Sequence, residues 1–229
     1  MSTGKRVPEA VPQSREQVQG ASRCPEVVEA ATERGITSIV HFTTVKGLVG
    51  ILYSKAVKNR QDLPADELVQ YVYEPNAVDR HLDERWHSYV NLSVTDINLH
   101  MFNFSRRKRP REEWVILKFG PEILGDPGVV FCTTNNIYPA AQRRGDLHGF
   151  GQLFAPSVAG RYRRLTKRDD KPQNRTTDPQ AEVLYPFELP LTHLHEITVA
   201  NDDAYEAVIA ALSHFPNEPR VEINLEAFR

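Results

Sequence analysis

The chain has 229 residues and a formal net charge of −2 at pH 7, so it is long enough for one sizeable core and is not a uniformly basic protein. It lacks both a run of about 18 apolar residues and the apolar middle of a secretion signal, so neither a membrane span nor export is indicated and a cytoplasmic protein is expected. Its two cysteines, Cys24 and Cys132, are too few for a disulfide framework and lack zinc-site spacing, so no metal is expected.

The N-terminus is rich in Pro, Gln, Ser and charge, which predicts a disordered arm over residues 1–24. No linker divides the rest, so a single domain is expected over residues 25–229. Pro25 suits the first turn of a helix and Gly35 suits its end. A short strand, ITSIVHF, follows this helix.

The clearest helical pattern follows Thr43 and Thr44, either of which can cap the helix. Its apolar residues recur at the spacing of one helical face, and they are Val45, Leu48, Val49 and Leu52. From residue 55 to 86 the sequence is polar and irregular, apart from a short helix predicted over PADELVQYVY. A long segment of this kind is typical of a binding loop.

Strand-like segments dominate the remainder of the chain. They are HSYVNLSV, EEWVILKFG, GVVFCTT, AEVLYPF and HEITVAN, with one short apolar segment, INLHMFNF, among them. The end predicts a helix, DDAYEAVIAALSHF, capped by Asp202 or Asp203, and a last strand, VEINLEAF. Because helices and strands do not alternate regularly, the order favours an α+β fold that is mostly antiparallel.

One acid, Glu182, lies inside an otherwise apolar strand. Side chains two apart in a strand share a face, so Gln180 and Glu182 are expected on one side, and Ala181 and Val183 on the other. One interpretation is a surface strand whose glutamate faces water. The other is a carboxylate presented to a cleft, where it orients a sugar hydroxyl or stabilises developing positive charge.

Four stretches, taken in order, resemble the DarT family of NAD-dependent DNA ADP-ribosyltransferases over roughly residues 36–199. They are IVHFTTVKGLVGIL, SYVNLSVTDINLHMFNF, EEWVILKFGPEIL with GVVFCTTNN, and TDPQAEVLYPFELPLTHLHEI. The resemblance implies the ADP-ribosyltransferase fold, two packed, mainly antiparallel sheets with peripheral helices and a cleft for NAD. It implies transfer of ADP-ribose from NAD to a base of single-stranded DNA.

The stretches LSV, NxxMF and FCTTN are similar to the guanosine-modifying branch of that family, which makes guanosine the expected acceptor and thymidine the alternative. The family also implies a bacterial toxin or phage-defence effector whose partner is a macrodomain antitoxin. A monomer is expected, with no membrane partner.

The resemblance places Glu182 beside the reacting ribose, which gains oxocarbenium character as the nicotinamide bond breaks. Gln180 matches a position that orients the acceptor base. A guanidinium is needed for the diphosphate, because it forms two parallel charge-assisted bonds to phosphate oxygens. Arg80 is favoured for this catalytic and NAD-binding role because its flanking Asp residues resemble relatives, and Arg85, closer to the next strand, is the alternative.

Further NAD contacts are implied around the first strand and helix and around the segment after the second strand. They are His41, Thr43, Leu52, Ser93, Met101 and Phe102, with Tyr89 as another ring that could flank the nicotinamide. The alternative for His41 is a hydrogen-bonded core histidine, and the alternative for the apolar residues is ordinary core packing.

Positive charge is concentrated in two segments, SRRKRPREE and RYRRLTKRDDKPQNR. Neutralising phosphates gives sequence-independent affinity, and Tyr162 offers a ring on which a base can stack. The alternative is solvated surface, since Asp169 and Asp170 reduce the local charge. The residues expected to contact DNA are Arg161, Arg163, Arg164, Lys167 and Arg168.

His193 and His195 alternate on one strand and could bind a metal, but no third ligand accompanies them. Two other functions compete with DNA modification. A transferase acting on RNA, protein or a small molecule would keep the NAD chemistry. A noncatalytic nucleic-acid-binding module would keep only the basic segments.

Overall fold

The computed structural model describes residues 9–62, 84–215 and 219–229. The helices in these ranges are α1 Arg15–Gln19, α2 Pro25–Glu33, α3 Val45–Ser54, α4 Leu99–Lys108, α5 Leu147–Gln152 and α6 Asp202–Leu212. The strands are β1 Ile39–Thr44, β2 Ala56–Lys58, β3 Tyr89–Val94, β4 Trp114–Phe119, β5 Val130–Cys132, β6 Arg143–Arg144, β7 Ser157–Ala159, β8 Leu165–Lys167, β9 Glu182–Pro186, β10 Glu188–Pro190, β11 Leu194–Val199 and β12 Arg220–Ile223. The helix predicted over residues 64–73 lies outside the described residues.

Eight strands form one sheet in the order β12-β11-β4-β1-β3-β9-β5-β6. Its pairs are antiparallel except β11 with β12, which is parallel. Two small antiparallel pairs, β2 with β10 and β7 with β8, stand beside it. The predicted α+β class with mainly antiparallel sheets is confirmed.

The large sheet is nearly divided in its middle. Strands β1 and β3 pair only through Ile39 with Val94 and Val40 with Ser93. From His41 onward β1 continues to pair with β4 alone. The two sheets expected from sequence are therefore the two halves of this sheet, β12-β11-β4-β1 and β3-β9-β5-β6, joined at a short contact.

Both faces of the sheet are covered, as the alternation along β4 shows. Val115, Leu117 and Phe119 belong to the main core, which also contains α2, α3 and α6. Trp114 and Ile116 point the other way, into a second cluster under α4. A two-sided core explains why strands such as β4 and β9 are almost wholly apolar.

Helix α3 begins after Thr44, whose hydroxyl accepts a hydrogen bond of 3.1 Å from the Gly47 amide, as predicted. Its buried face is centred on Leu48 and Ile51. Val49, predicted to face the core, is 54% exposed. This helix has more apolar residues than the sheet covers. Spacing alone therefore predicted a buried face that is rotated by about one residue from the observed one.

Residues 9–24, predicted as disordered, are folded against the rest of the chain. Ser14 and Gln17 form a reciprocal capping box at the start of α1. The Gln13 amide donates to the Tyr89 hydroxyl over 3.1 Å, and the Arg15 guanidinium lies 4.6 Å from the centre of the Phe187 ring. Composition predicted disorder because the anchoring contacts are polar and come from distant parts of the chain.

Two further segments differ from their predictions. INLHMFNF leads into helix α4, where Asn98 caps the first turn by accepting a hydrogen bond of 3.2 Å from the Met101 amide. The last segment is strand only through Ile223 and then forms a 3-10 turn that buries Phe228 in the second cluster. The cap of α6 is Asn201, one residue before the predicted Asp202.

No helix in the described ranges is long and apolar enough to cross a membrane.

Candidate active site

Glu182 is the first residue of β9 and is only 8% exposed. Its Oε2 atom accepts hydrogen bonds from the Asn136 amide at 2.9 Å and from the Asn91 side chain at 3.1 Å. Its Oε1 atom accepts one from the Asn135 side chain at 3.2 Å. The surface-strand interpretation is therefore wrong. The carboxylate is enclosed, and its donors come from β3, which contains Asn91, and from the segment after β5, which contains Asn135 and Asn136.

The faces of β9 follow the predicted alternation. Ala181 and Val183 lie in the main core, on the side opposite Glu182. Cys132, the partner of Glu182 on β5, is fully buried beside it. Burial, and secondly the charge of Glu182, raise the pKa of the Cys132 thiol well above its usual value, so the thiol stays protonated next to the carboxylate.

Gln180 is held in one orientation just before β9. Its amide oxygen accepts a hydrogen bond of 3.1 Å from the Tyr138 hydroxyl, and its backbone amide donates to Asp178 over 2.9 Å. Burial raises the pKa of Tyr138, with Asp178 and Glu182 adding to the rise and Arg161 opposing it. Tyr138 therefore remains a hydroxyl donor at neutral pH, and it lies between Glu182 and the basic segment.

His41 faces β3 where the two strands stop pairing. Its Nδ1 atom lies 3.1 Å from the Asn91 carbonyl oxygen. A carbonyl can only accept, so Nδ1 carries the proton and Nε2 is an acceptor. Burial lowers the pKa of His41, opposed by the bond to Asn91, so the ring is neutral at pH 7. Among the described residues no hydrogen-bond partner of Nε2 is seen, so this atom is available as an acceptor.

Asn91 joins the two predicted residues. Its side chain donates to Glu182 and its backbone carbonyl accepts from His41. Sequence reasoning missed Asn91, and it missed Asn135 and Asn136, which follow β5. The one signal for Asn91 was a polar side chain in the otherwise apolar strand YVNLSV. A polar residue at such a position is equally expected where a strand faces solvent, so the signal does not identify a site residue.

The other predicted NAD contacts divide into two groups. Thr43, Ser93 and Met101 are half-buried on β1, on β3 and at the start of α4. Leu52 is also half-buried, but it lies near the end of α3 and packs against the main core. Phe102 is 1% exposed and packs against Trp114 and Phe228, and Tyr89 is equally enclosed beside Trp86.

Both rings are therefore part of core clusters, Phe102 because helix α4 turns it into the second cluster. Met101, the third residue considered beside the nicotinamide, is the more accessible one. Arg80 lies outside the described residues. The alternative, Arg85, is exposed.

The segment that contains most of the predicted DNA contacts forms a β-hairpin, β7 with β8, called here the basic hairpin (residues 157–167). Its tip exposes Arg161, Arg163 and Arg164, and Tyr162 is 87% exposed with the Arg161 guanidinium 4.8 Å from its ring centre. Lys167 is exposed at the end of β8. The structure therefore presents three cations and one aromatic ring to solvent at the tip, with Lys167 at the opposite end of the hairpin.

The basic hairpin adjoins the Glu182 site. At its tip Gly160 approaches the segment before β9 so closely that a Cβ atom there would lie 2.8 Å from Asp178 Oδ2 and 3.5 Å from Thr134 Oγ1. Asp178 holds Gln180, and Thr134 precedes Asn135 in the turn that binds Glu182. The tip of the hairpin therefore contacts both segments that lead to the residues around Glu182.

Arg168 makes contacts within its own chain. Its guanidinium donates to the carbonyls of Pro172 at 2.9 Å and Arg175 at 3.0 Å, and it lies 5.4 Å from the Phe154 ring centre. These contacts hold the turn between β8 and β9. The Nη1 and Nη2 atoms of Arg168 are thus engaged with carbonyl oxygens, and its contact with DNA stays a prediction.

The second basic segment lies on α4, away from strand pairing. Arg106, Arg107 and Lys108 are exposed in the last turn, where cations interact favourably with the helix dipole. The two histidines considered for a metal bind different partners. His193 contacts Glu122 at 2.8 Å, and His195 contacts Ser38 at 3.4 Å. In the part of the chain that the structure describes, no three potential ligands come together.

Comparison with known proteins gives one family and one fold. The family model described as "DarT: ssDNA thymidine ADP-ribosyltransferase, DarT" matches residues 40–229. No curated protein matches the sequence.

Several solved structures are similar to this chain. DarT of Thermus sp. 2.9 in complex with ADP-ribosylated ssDNA aligns with a TM-score of 0.60 at 20% identity, covering 85% of this chain and 97% of that one. The same protein in complex with NAD+ aligns with a TM-score of 0.59 at 20% identity, covering 84% and 98%. Thermosipho africanus DarTG in complex with ADP-ribose aligns at 0.55 and 13% identity, covering 84% and 51%. At these identities the likeness establishes a shared fold.

Proposed function

Because this chain belongs to the DarT family of ssDNA ADP-ribosyltransferases, we propose that it transfers ADP-ribose from NAD to a guanine base of single-stranded DNA. The observation that carries the proposal is the enclosed Glu182 carboxylate, held by Asn91, Asn135 and Asn136 beside His41 and the basic hairpin. Thermus sp. 2.9 DarT, which shares the fold, has been observed with NAD+ and with ADP-ribosylated ssDNA.

The reaction breaks the bond between ribose C1′ and the nicotinamide nitrogen, and nicotinamide leaves with the bonding electrons. A base nitrogen then bonds to C1′ and loses a proton, so the products are nicotinamide, the ADP-ribosylated base and H⁺. Positive charge develops on the ribose before the new bond forms. A fixed carboxylate stabilises that charge without reorganising, which is the role assigned to Glu182.

The NAD molecule is expected to lie where β1 and β3 separate. His41 Nε2 can accept a hydrogen bond from a ribose hydroxyl, because Nδ1 is already committed to Asn91. Thr43, Ser93 and Met101 remain candidates for contacts along this opening. Arg80 remains the candidate for the diphosphate, on the strength of sequence resemblance.

Gln180 is expected to orient the acceptor base. Since Tyr138 donates to its amide oxygen, its amide nitrogen is left as the donor. A donor suits an oxygen or ring nitrogen of either guanine or thymine. The preference for guanine comes from the stretches LSV, NxxMF and FCTTN, whereas the description of the family model names thymidine and makes thymine the second candidate.

The basic hairpin is expected to bind the DNA strand. Arg161, Arg163 and Arg164 can neutralise successive phosphates while Tyr162 stacks on a base. A paired base has its reactive edge covered, so a single strand or an extruded base is the expected substrate. Hairpin and carboxylate adjoin, so one strand can reach both.

The proposed biological role is that of a cytoplasmic, monomeric toxin whose effect a macrodomain antitoxin reverses. Thermosipho africanus DarTG, which shares the fold, was observed in complex with ADP-ribose. Co-expression with such a macrodomain is expected to relieve growth inhibition.

The test is incubation with NAD labelled in the adenylate portion and, separately, single-stranded DNA, duplex DNA, RNA and a protein mixture. The label is expected on single-stranded DNA. Label confined to RNA or protein would replace the DNA assignment, and the absence of both label and NAD cleavage would remove the enzymatic one.

A further inference from the structure

A row of three residues crosses the sheet beside the active site. Arg143 on β6 is paired with Cys132 on β5, and Cys132 is paired with Glu182 on β9. Directly paired residues of antiparallel strands point to the same face, so Arg143 and Glu182 share a face with one strand between them. Two strand spacings separate their backbones by roughly 9.5 Å.

Asn136 fills the space between them. Arg143 Nε donates to its side-chain oxygen over 2.6 Å, and Arg143 Nη2 donates to its backbone carbonyl over 2.5 Å. The backbone amide of Asn136 donates to Glu182 at 2.9 Å. A planar guanidinium that grips two oxygens of one residue fixes that residue's position, and with it the donor aimed at the carboxylate.

Arg143 is itself held from the N-terminal segment. Its Nη1 atom donates to the Ala141 carbonyl over 3.1 Å and pairs with Glu9 at 2.5 Å. The Ala10 amide donates to the Arg143 carbonyl over 2.8 Å, which covers the outer edge of β6. The Arg143 side chain is only 15% exposed, so these partners replace water around its charge.

We propose that Arg143 is a positioning residue for Glu182, acting through Asn136, and that Glu9 orients Arg143. The inference deepens the proposed transferase function and assigns a role to residues that neither touch the substrate nor lie near Glu182 in sequence. It also gives the folded N-terminal segment a part in the reaction.

The test compares Arg143→Gln with Arg144→Gln. Arg144 is the next residue of the same strand and pairs with Asp146, so its loss perturbs β6 without touching Asn136. Arg143→Gln is expected to lower kcat by about 10- to 100-fold, because small displacements of a reacting group cost rate steeply. Its KM for NAD should stay within about threefold of wild type, since ground-state binding is retained.

Arg143→Lys is the second variant, because it keeps the charge and the pairing with Glu9 but cannot span both Asn136 oxygens. It is expected to lower kcat as well. Glu9→Gln should lower kcat by less, with no further loss when it is added to Arg143→Gln.

Hydrogen exchange of residues 133–142 gives a readout that does not depend on activity. Exchange there should accelerate in Arg143→Gln and not in Arg144→Gln, and this outcome would support the positioning role even if the acceptor proved not to be DNA. Unchanged exchange, an effect confined to KM, or equal losses of kcat in both variants would overturn the inference. If the wild-type protein transferred nothing, the proposed function would fail, and exchange alone would decide the role of Arg143.

Discussion

A carboxylate enclosed in a protein loses its hydration, and it is tolerated where hydrogen-bond donors replace the water. At Glu182 the replacement comes from three asparagines on two segments that are distant in sequence. These donors fix the position of the carboxylate. An acid held in this way is suited to stabilise a developing cation without reorganising.

Replacing the acid with its isostere tests this role. Glu182→Gln is expected to reduce transfer by about 10²-fold or more, because the amide has no charge with which to stabilise the ribose cation. NAD affinity, measured by calorimetry, should stay within about threefold. Glu188→Gln is the matched control, since Glu188 is exposed and 3.5 Å from Lys58, outside the site. Undiminished transfer by folded Glu182→Gln protein would remove this residue from the chemistry.

His41 provides a prediction about pH. Burial lowers its pKa below the usual 6.5, with the bond to Asn91 opposing the shift. Between the two pKa values the unfolded chain binds more protons than the folded one, so the free energy of unfolding rises with pH there. Stability is therefore complete above the unfolded pKa and declines as the pH falls through 6.5 toward the folded pKa.

The measurement for His41 is an NMR titration of its ring protons, with a midpoint expected below 6.5. His41→Gln, which cannot titrate, is the control and should lose less stability than wild type as the pH falls from about 7 to about 5. A midpoint above 6.5, or equal acid sensitivity of the two proteins, would contradict a buried neutral ring.

Some site residues were predictable and others were not, for a physical reason. Glu182 and Gln180 stand out because a strand has a period of two, so an acid in an apolar strand is conspicuous. Asn135 and Asn136 sit in a turn, where asparagine is common for conformational reasons alone. Their role depends on which strand the turn meets, and local sequence does not contain that information.

At the scale of elements, the basic hairpin carries a test of DNA binding. Replacing Arg161, Arg163 and Arg164 by Gln should weaken binding of single-stranded DNA. The slope of log affinity against log salt should become shallower by roughly 2, since each phosphate contact on a single strand contributes about 0.7. Fluorescence anisotropy over a salt series measures both quantities.

The control for this experiment is the triple replacement of Arg106, Arg107 and Lys108 on α4, which removes the same charge from a surface that is not part of the hairpin. A smaller change in slope is expected there. Equal slopes for the two triple variants would show that DNA affinity depends on the net charge of the protein and not on the hairpin. An unchanged slope for the hairpin variant would show that the hairpin tip does not contact DNA phosphates.

Elements with one strong period were predicted well, and elements defined by tertiary contacts were not. The strand over AEVLYPF and the helices after Pro25 and Thr44 follow directly from spacing and capping. Helix α4 was missed because a short apolar run has no distinguishing period. The two-residue strand β6 exists through pairing with β5, so it carries no sequence signal of its own.

At the scale of the whole molecule, a net charge of −2 conceals an uneven distribution. Cations gather on the basic hairpin next to Glu182, where a local positive potential can attract a polyanion although the protein as a whole is nearly neutral. The division of the sheet between β1 and β3 supplies the other requirement, an opening lined by His41. These are the two surfaces to which the proposed function assigns NAD and the DNA strand.

The order of the strands explains why the complete site could not be read from the chain. Glu182, Cys132 and Arg143 occupy one row, although the sheet order β3-β9-β5-β6 does not follow the sequence. Resemblance of four ordered stretches predicted the family and the fold. It did not predict the N-terminal segment, which lies before the matched residues 40–229 and reaches the row through Glu9.

The most direct test of the account is mass spectrometry of nucleosides from single-stranded DNA treated with the protein and NAD. We predict a deoxyguanosine carrying one ADP-ribose with the wild-type protein and none with Glu182→Gln. A thymidine adduct would correct the base while preserving the chemistry. If the wild-type protein consumed NAD and left every nucleoside unmodified, transfer to DNA by the Glu182 site would be contradicted.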